Sequence, residues 1–136
     1  MLRKQGRGEV DKIVSKLLRD LKTGVYAIVM LNLILREGPI HGYGLRIRIN
    51  ALSKGMLNPS EGTVYETLKN LEKAGLIKSF WGTAPGRGPP RKYYVVTDLG
   101  REVISLVNEG VIALLRLIES VVSPEEGRAA VSVKGG

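Results

Sequence analysis

The chain has 136 residues, no cysteine and a single histidine, His41. The lack of cysteine excludes disulfides, thiolate metal ligands and thiol nucleophiles. With one histidine, a zinc site would have to be built mainly from carboxylates, which zinc sites seldom are. We therefore expect no metal and no cofactor.

Aromatic residues make up only 5% of the sequence, so the core must be built mainly from Leu, Ile and Val. No apolar run is long enough to span a membrane, and the N-terminus has no apolar segment of signal-peptide length. We expect a cytoplasmic protein without membrane contacts. We also find no nucleophile paired with a base and no phosphate-binding loop leading into a helix, so an enzyme is not expected.

The formal charge is +8, and it is unevenly distributed. Residues 1–22 carry seven basic and three acidic side chains (+4), residues 23–97 carry ten and four (+6), and residues 98–136 carry four and six (−2). A basic body with a slightly acidic end is typical of a protein with one surface for a polyanion and another surface for a different partner. The charge alone is equally compatible with a solubilising role.

Two apolar patterns predict helices before residue 40. The first is a stripe at helical spacing, which indicates an amphipathic helix ending near Gly24; its members are Val10, Ile13, Val14, Leu17, Leu18 and Leu21. The second, Val25 to Gly38, is apolar nearly all round and predicts a buried helix stopped by Gly38 and Pro39. The segment from His41 to Lys54 fits both strand and helix periodicity, with a slight preference for a helix that His41 begins.

The clearest element is a helix from Ser60 to Ala74. Ser60 is a good N-cap, Asn58 is a second candidate, and Gly75 is placed to end the helix in a left-handed turn. Its buried stripe is Val64, Leu68 and Leu71.

A β-hairpin and a long helix follow. The strands are Leu76–Gly82 and Lys92–Thr97, and the loop between them is rich in proline, glycine and arginine. Thr97 is the expected N-cap of a helix over residues 98–122, and residues 123–136 are expected to be disordered. Apolar or small residues spaced mostly by three and four form a helix-packing seam on this helix: Leu99, Val103, Leu106, Gly110, Ala113, Leu117 and Val121.

This order of elements predicts a winged helix-turn-helix fold. The expected fold class is mainly α with a small β-hairpin, with an extra N-terminal amphipathic helix (residues 1–22), a DNA-binding domain (residues 23–97) and a C-terminal dimerisation helix (residues 98–122). The helix from Ser60 is the expected recognition helix, and the hairpin is the expected wing.

We expect the recognition helix and the wing to contact double-stranded DNA. Polar side chains of the helix can reach bases or phosphates: Ser60, Thr63, Tyr65, Glu66, Thr67, Lys69, Asn70 and Lys73. In the wing, Arg87 suits a minor groove, and Arg91 and Lys92 suit phosphates. For each residue the alternative is an ordinary solvated surface, and Arg46 and Arg48 are equally compatible with phosphate contact or surface charge.

Three blocks of sequence resemble the PadR family of transcriptional regulators. They are "EGPIHGYGL" (37–45), "NPSEGTVYETLKNLEKAGLI" (58–77) and "GPPRKYYVVTDLGRE" (88–102). The resemblance implies a winged-helix dimer that binds palindromic DNA, usually as a repressor, and a helix over residues 41–54. It also implies an interface formed mainly by the terminal helix, where we include Leu114 with the seam. We expect Ile13 and Leu17 of the N-terminal helix to join that interface.

The sequence departs from the family pattern at two points. Glu66 stands where the family commonly has a proline, and residues 1–22 are longer than the typical leader. Some members of the family bind aromatic drugs between tryptophans of the terminal helix. The terminal helix of this chain has no aromatic residue, so this mode of drug binding is not supported. A small-molecule effector is left open and none is identified. Two other functions also stay open, an architectural protein that coats DNA without sequence choice and a winged-helix module for protein–protein contact.

Overall fold

The computed structural model describes residues 2–83 and 88–124. Its elements are α1 (Leu2–Glu37), β1 (Ile40–His41), α2 (Gly42–Leu52), α3 (Glu61–Lys73), β2 (Ile77–Gly82), β3 (Arg91–Val96) and α4 (Asp98–Val122). This mainly helical fold with a small antiparallel sheet confirms the expected class. Arg87 at the tip of the hairpin and residues 125–136 of the expected disordered tail lie outside the described residues.

The two N-terminal helices expected from the sequence are one continuous helix, α1, of 36 residues. The predicted break at Gly24 is wrong. A glycine in a helix interior costs only about 1 kcal/mol relative to alanine, and nothing lies within 4 Å of the position that a Cβ of Gly24 would occupy. The backbone therefore stays helical through Gly24, and α1 ends at Glu37, just before Gly38 and Pro39.

Of the segment from His41 to Lys54, residues Gly42–Leu52 are helical and form α2, so the helix that the family resemblance implies is present with slightly shorter bounds. His41 begins this helix as its N-cap, with Nδ1 accepting a hydrogen bond from the backbone N–H of Gly44 at 3.0 Å. A short strand that was not predicted from the sequence lies directly before α2. Ile40 and His41 form β1, which pairs antiparallel with Tyr94 and Tyr93 of β3, so the hairpin is part of a three-stranded sheet in the order β1-β3-β2.

The helix α3 has the ends that its sequence predicts. Ser60 is the N-cap, since its Oγ accepts a hydrogen bond from the backbone N–H of Thr63 at 3.1 Å. At the other end Gly75 has a φ of +81°, a conformation that residues with a Cβ seldom adopt. Thr97 caps α4 in the same way as Ser60 caps α3, because its Oγ1 accepts from the N–H of Gly100 at 3.0 Å.

The core lies where α1, α2, α3 and the sheet meet. From these elements come buried apolar side chains of the kinds that the sequence analysis expected: Met30, Leu31, Leu33, Ile34, Leu45, Ile49, Val64, Leu68, Leu71, Ile77, Tyr94 and Val96. Val64, Leu68 and Leu71 confirm the predicted stripe of α3. Burial of this stripe leaves the polar side of α3 directed to solvent.

The chain divides into two compact units, Met1–Arg101 and Glu102–Gly136. The first unit contains α1, α2, α3, the sheet and the first turn of α4. The second unit contains the rest of α4.

The first turn of α4 approaches the sheet closely at Gly100. A Cβ at this position would collide with the carbonyl group of Leu76 and with a methyl group of Val96. The same carbonyl of Leu76 accepts a hydrogen bond from the N–H of Thr97 at 3.0 Å, so it has little freedom to move away. The start of α4 therefore requires glycine at position 100.

We expect Gly100→Ala to lower the free energy of unfolding by about 1–3 kcal/mol, the usual cost of overpacking. Urea denaturation followed by circular dichroism measures it. Gly8→Ala is the matched control, because nothing lies within 4 Å of a Cβ at Gly8 and helix propensity favours alanine. Equal stability of the two variants would contradict the proposed close contact.

Candidate nucleic-acid interface

The N-terminal turn of α3 fixes the hydroxyl groups of three predicted DNA-contacting residues. Ser60 Oγ caps the helix and also donates to Thr63 Oγ1 at 3.0 Å. Thr67 Oγ1 donates to the carbonyl oxygen of Thr63 at 2.8 Å. Thr63 thus keeps its own hydroxyl proton for another acceptor, whereas Thr67 presents oxygen lone pairs and a methyl group. The two threonines differ in the hydrogen bonds they can offer a ligand.

The other predicted contact residues of α3 lie on its solvent side. Glu66, Lys69, Asn70 and Lys73 are exposed. Tyr65, another candidate DNA contact, packs its ring against Gly42, where a Cβ would come within 2.8 Å of the ring. This contact explains the glycine at the start of α2, and the rest of the Tyr65 side chain is exposed at 44%.

A cleft of about 730 Å³ lies between α2, α3 and the hairpin. Three exposed aromatic side chains line it: Tyr43 from α2, Tyr65 from α3 and Trp81 from β2. Four cationic side chains line it as well: Arg46, Lys69, Arg91 and Lys92. Basic residues of the recognition helix and of the wing, which are far apart in sequence, are therefore on the walls of one cleft.

Two acidic residues of α3, Glu61 and Glu72, also line this cleft and reduce its positive charge. Glu72 of α3 accepts a hydrogen bond from Ser79 Oγ at 2.6 Å, and Lys92 Nζ lies 3.8 Å from the other carboxylate oxygen. Glu72 thus ties the C-terminal turn of α3 to both strands of the hairpin. This role of Glu72 was not predicted from the sequence. The pattern that could have indicated it is an acidic residue at the end of α3 followed by a basic strand.

Arg91 lies over an aromatic ring and close to His41, the N-cap of α2. Its guanidinium group lies 5.7 Å from the centre of the Tyr43 ring, and its Nη1 is 3.4 Å from His41 Nε2. Because His41 Nδ1 accepts from Gly44, a neutral imidazole carries its proton on Nε2 and cannot accept from Arg91 there. Partial burial, and then the charge of Arg91, lower the pKa of His41 from its ordinary value of 6.5.

Arg46 and Arg48, which the sequence left open between phosphate contact and surface charge, differ in their surroundings. Arg46 Nε donates to the carbonyl oxygen of Pro59 at 3.2 Å, and the side chain lines the cleft. Arg48 forms a bidentate pair with Glu37 at 2.8 and 2.9 Å. Hydrogen bonding from Arg48 lowers the pKa of Glu37. Arg48 is therefore committed to joining α1 to α2.

The aromatic residues of the hairpin pack mainly with one another. Phe80 and Tyr93 are cross-strand partners whose rings stack at 5.9 Å, and Tyr94 is buried. Trp81 differs, since 69% of its surface is exposed at the edge of the cleft.

Residues predicted for a dimer interface are exposed within each unit. In the first unit they are Ile13, Leu17 and Leu99, and in the second they are Leu106, Gly110, Ala113, Leu114, Leu117 and Val121. Val103 is half-buried. An isolated chain thus leaves many large apolar side chains in water on α1 and α4.

Within the described residues, no group of three His, Asp or Glu side chains is placed to hold a metal ion. None of the helices in that part of the chain is long and apolar enough to cross a membrane.

A capped helix after a turn, followed by a hairpin that shares a basic cleft with it, defines a winged helix-turn-helix DNA-binding protein. Residues 30–106, more than half of the chain, match the model of the Transcriptional regulator PadR-like family. The chain belongs to this family. It is a DNA-binding transcriptional regulator and not an enzyme.

Several known proteins are similar to this chain. A protein of Lysinibacillus sphaericus of unknown function is 33% identical over 91 residues, which are 66% of this chain and 82% of that protein. A PadR family regulator from Eggerthella lenta is 27% identical with a TM-score of 0.69, covering 85% of this chain and 97% of that one. A transcriptional regulator from Clostridium thermocellum is 27% identical with a TM-score of 0.67, covering 76% and 96%.

We expect the stability of the protein to depend on pH through His41. Since folding lowers the pKa of this residue, the unfolded chain takes up the proton more readily, and stability falls as the pH drops through 6.5. His41→Asn keeps an N-cap acceptor but has no charge to gain. The loss of stability between pH 8 and pH 5, measured by urea denaturation, should therefore be smaller in the variant. An equal loss in both proteins would show that the capping nitrogen does not titrate in this way.

Proposed function

We propose that the protein is a homodimeric repressor that binds a palindromic operator. In this proposal α3 lies in the major groove of each half-site, with the two half-sites about 34 Å apart, one helical turn of DNA. The family resemblance implies repression, and a small-molecule effector is left unidentified.

The proposal assigns different roles to the polar residues of α3. Thr63, Thr67 and Asn70 contact base edges, with Thr63 donating and Thr67 accepting or presenting its methyl group to thymine. Glu66 accepts a hydrogen bond from a cytosine amine, and Lys69 and Lys73 contact phosphates. Ser60 and Tyr65 border this surface and position it.

The wing supplies the remaining contacts in this proposal. Arg91 and Lys92 bind phosphates, and Arg87 enters the minor groove, where arginine responds to groove width. The observation that supports the proposal best is that Lys69 of α3 and Arg91 and Lys92 of β3 line the same cleft. A single duplex laid against α3 would thereby also meet the base of the wing.

Exposed apolar surface supports the dimer. Leu106, Leu117 and Val121 of α4 are 59–69% exposed, and a soluble monomer rarely leaves a contiguous apolar patch of that kind uncovered. The stripe on α1, which includes Ile13 and Leu17, is also exposed. A second copy of the chain covers both sets in the proposed dimer.

We expect Asn70→Ala to reduce the preference for operator over random DNA by about 1–3 kcal/mol, the value of a good bidentate base contact. The operator is first obtained by sequencing DNA fragments that the purified protein captures. Lys73→Ala is the control on the same helix. It should weaken operator and random DNA equally and lower the salt slope by about 0.9.

Three outcomes of this experiment would contradict the proposal or part of it. An unchanged preference in Asn70→Ala would remove Asn70 from base recognition. Equal binding of captured and random fragments by the unsubstituted protein would favour a protein that coats DNA, and no binding at low salt would favour a protein–protein module.

For the dimer, we expect Leu117→Glu to shift the mass measured by light scattering from about 29.6 kDa, twice the 14.8 kDa of one chain, towards the monomer. A buried carboxylate opposite an apolar partner strongly opposes association. Leu52→Glu is the control, because Leu52 is exposed to a similar degree (56% against 59%) but lies on α2, outside the proposed interface. A monomeric unsubstituted protein, or a Leu117→Glu dimer of unchanged affinity, would contradict the proposed interface.

A further inference from the structure

The N-terminal half of α1 is amphipathic, and its apolar side faces water. Within the first unit, the stripe of Val10, Ile13, Val14, Leu17, Leu18 and Leu21 is 47–65% exposed. The side that adjoins the start of α3 is mainly polar, and Leu18 is the residue of the stripe that reaches it. Apolar burial inside the unit therefore does not explain how this half of α1 lies beside α3.

The polar side of α1 and the beginning of α3 line a second groove, of about 420 Å³. Mainly basic and hydroxyl side chains from α1 form one wall, together with Leu18: Ser15, Arg19, Lys22, Thr23 and Tyr26. The other wall consists of Asn58, Pro59, Ser60 and Thr63. None of these lining residues is acidic. The hydroxyls of Thr23 and Ser60 already donate within the chain, so the groups best suited to DNA phosphates are the cations of Arg19 and Lys22.

Arg19 and Lys22 are free of ion pairs in the described part of the chain. The ion pairs there join other residues, including Lys16 and Asp20 at 3.1 Å on the same helix. The capping oxygen of Ser60 is occupied by the N–H of Thr63. Both cationic side chains of the groove, Arg19 and Lys22, therefore come from α1.

The groove is directly beside the residues that read DNA in the proposed function. Thr63 belongs both to this groove and to the proposed contact surface of α3, and Ser60, which borders that surface, lines the groove as well. A helix that enters the major groove is flanked on each side by sugar–phosphate backbone. The wing meets one part of that backbone, and the wall of α1 stands at the opposite end of α3.

We propose that Arg19 and Lys22 bind backbone phosphates of the DNA at the N-terminal end of α3, so that α1 is a third DNA-contacting element beside the recognition helix and the wing. This inference rests on the proposed function. The contact is independent of sequence, because phosphates are the same at every base pair. It adds affinity and salt dependence and leaves the choice of operator to α3.

The test compares two double variants that each remove one arginine and one lysine from α1. Arg19→Gln/Lys22→Gln removes the cations of the groove. Arg7→Gln/Lys12→Gln removes the same charges from positions outside the groove, where both side chains are exposed. Binding to the captured operator and to random DNA is measured by fluorescence anisotropy between 50 and 200 mM salt, and thermal unfolding checks that both variants fold.

The salt slope is the change in the logarithm of the affinity with the logarithm of the salt concentration. Loss of two phosphate contacts, at about 0.9 each, should reduce the magnitude of this slope by about 1.8 in the groove variant. Over this fourfold range of salt the unsubstituted protein should lose about 12-fold more affinity than the groove variant. Operator and random DNA should weaken together, and the control variant should keep nearly the full slope. Ethylation interference should show phosphates that matter to the unsubstituted protein and not to the groove variant.

Two results would overturn the inference while leaving the proposed function intact. One is a groove variant with the original slope, which would make Arg19 and Lys22 solvated surface charge. The other is an equal change of the salt slope in both double variants. That result would mean that the cations of α1 act through their summed charge and that Arg19 and Lys22 make no specific phosphate contact. An unsubstituted protein that binds no duplex even at low salt would instead refute the proposed function itself.

Discussion

The whole arrangement depends on the burial of one stripe of α3. Val64, Leu68 and Leu71 must leave water, and they do so against the core formed with α1 and α2. Because a helix has one rotational setting that buries a given stripe, this packing also determines which side chains face outwards. The contact surface of Thr63, Thr67 and Asn70 is therefore set by residues that touch no ligand.

The packing of the core sets the orientation of α3, and local hydrogen bonds and an ion pair then fix its two ends. Ser60 holds the first turn of α3, and Glu72 joins its last turn to the hairpin through Ser79 and Lys92. Two cations of the wing, Arg91 and Lys92, are thus placed by an aromatic ring and a carboxylate from other elements. The cleft is a product of tertiary structure, although each of its walls consists of one short segment of sequence.

Much of this structure could be predicted from sequence because its signals are local. A capping serine, a left-handed glycine and a 3.6-residue apolar period act within a few residues, so α3 and its ends were predicted correctly. Gly24 shows the limit of such signals, because a glycine without a turn to stabilise it remains in a helix. The pairing of Arg48 with Glu37 and the position of Trp81 depend on contacts across the fold, and no local pattern encodes them.

The continuity of α1 has a mechanical consequence. From Ile34 in the core to Ile13 near the exposed end there are 21 residues, about 32 Å at 1.5 Å per residue. A tilt of roughly 5° at the core would displace the far end by about 3 Å over that length. Helix α1 is thus anchored in the core around Ile34, and a small movement there becomes a larger one near Ile13. Between Ile13 and Ile34 the one residue without a side chain is Gly24, and the greater backbone freedom of glycine makes this the position where bending of that stretch costs least.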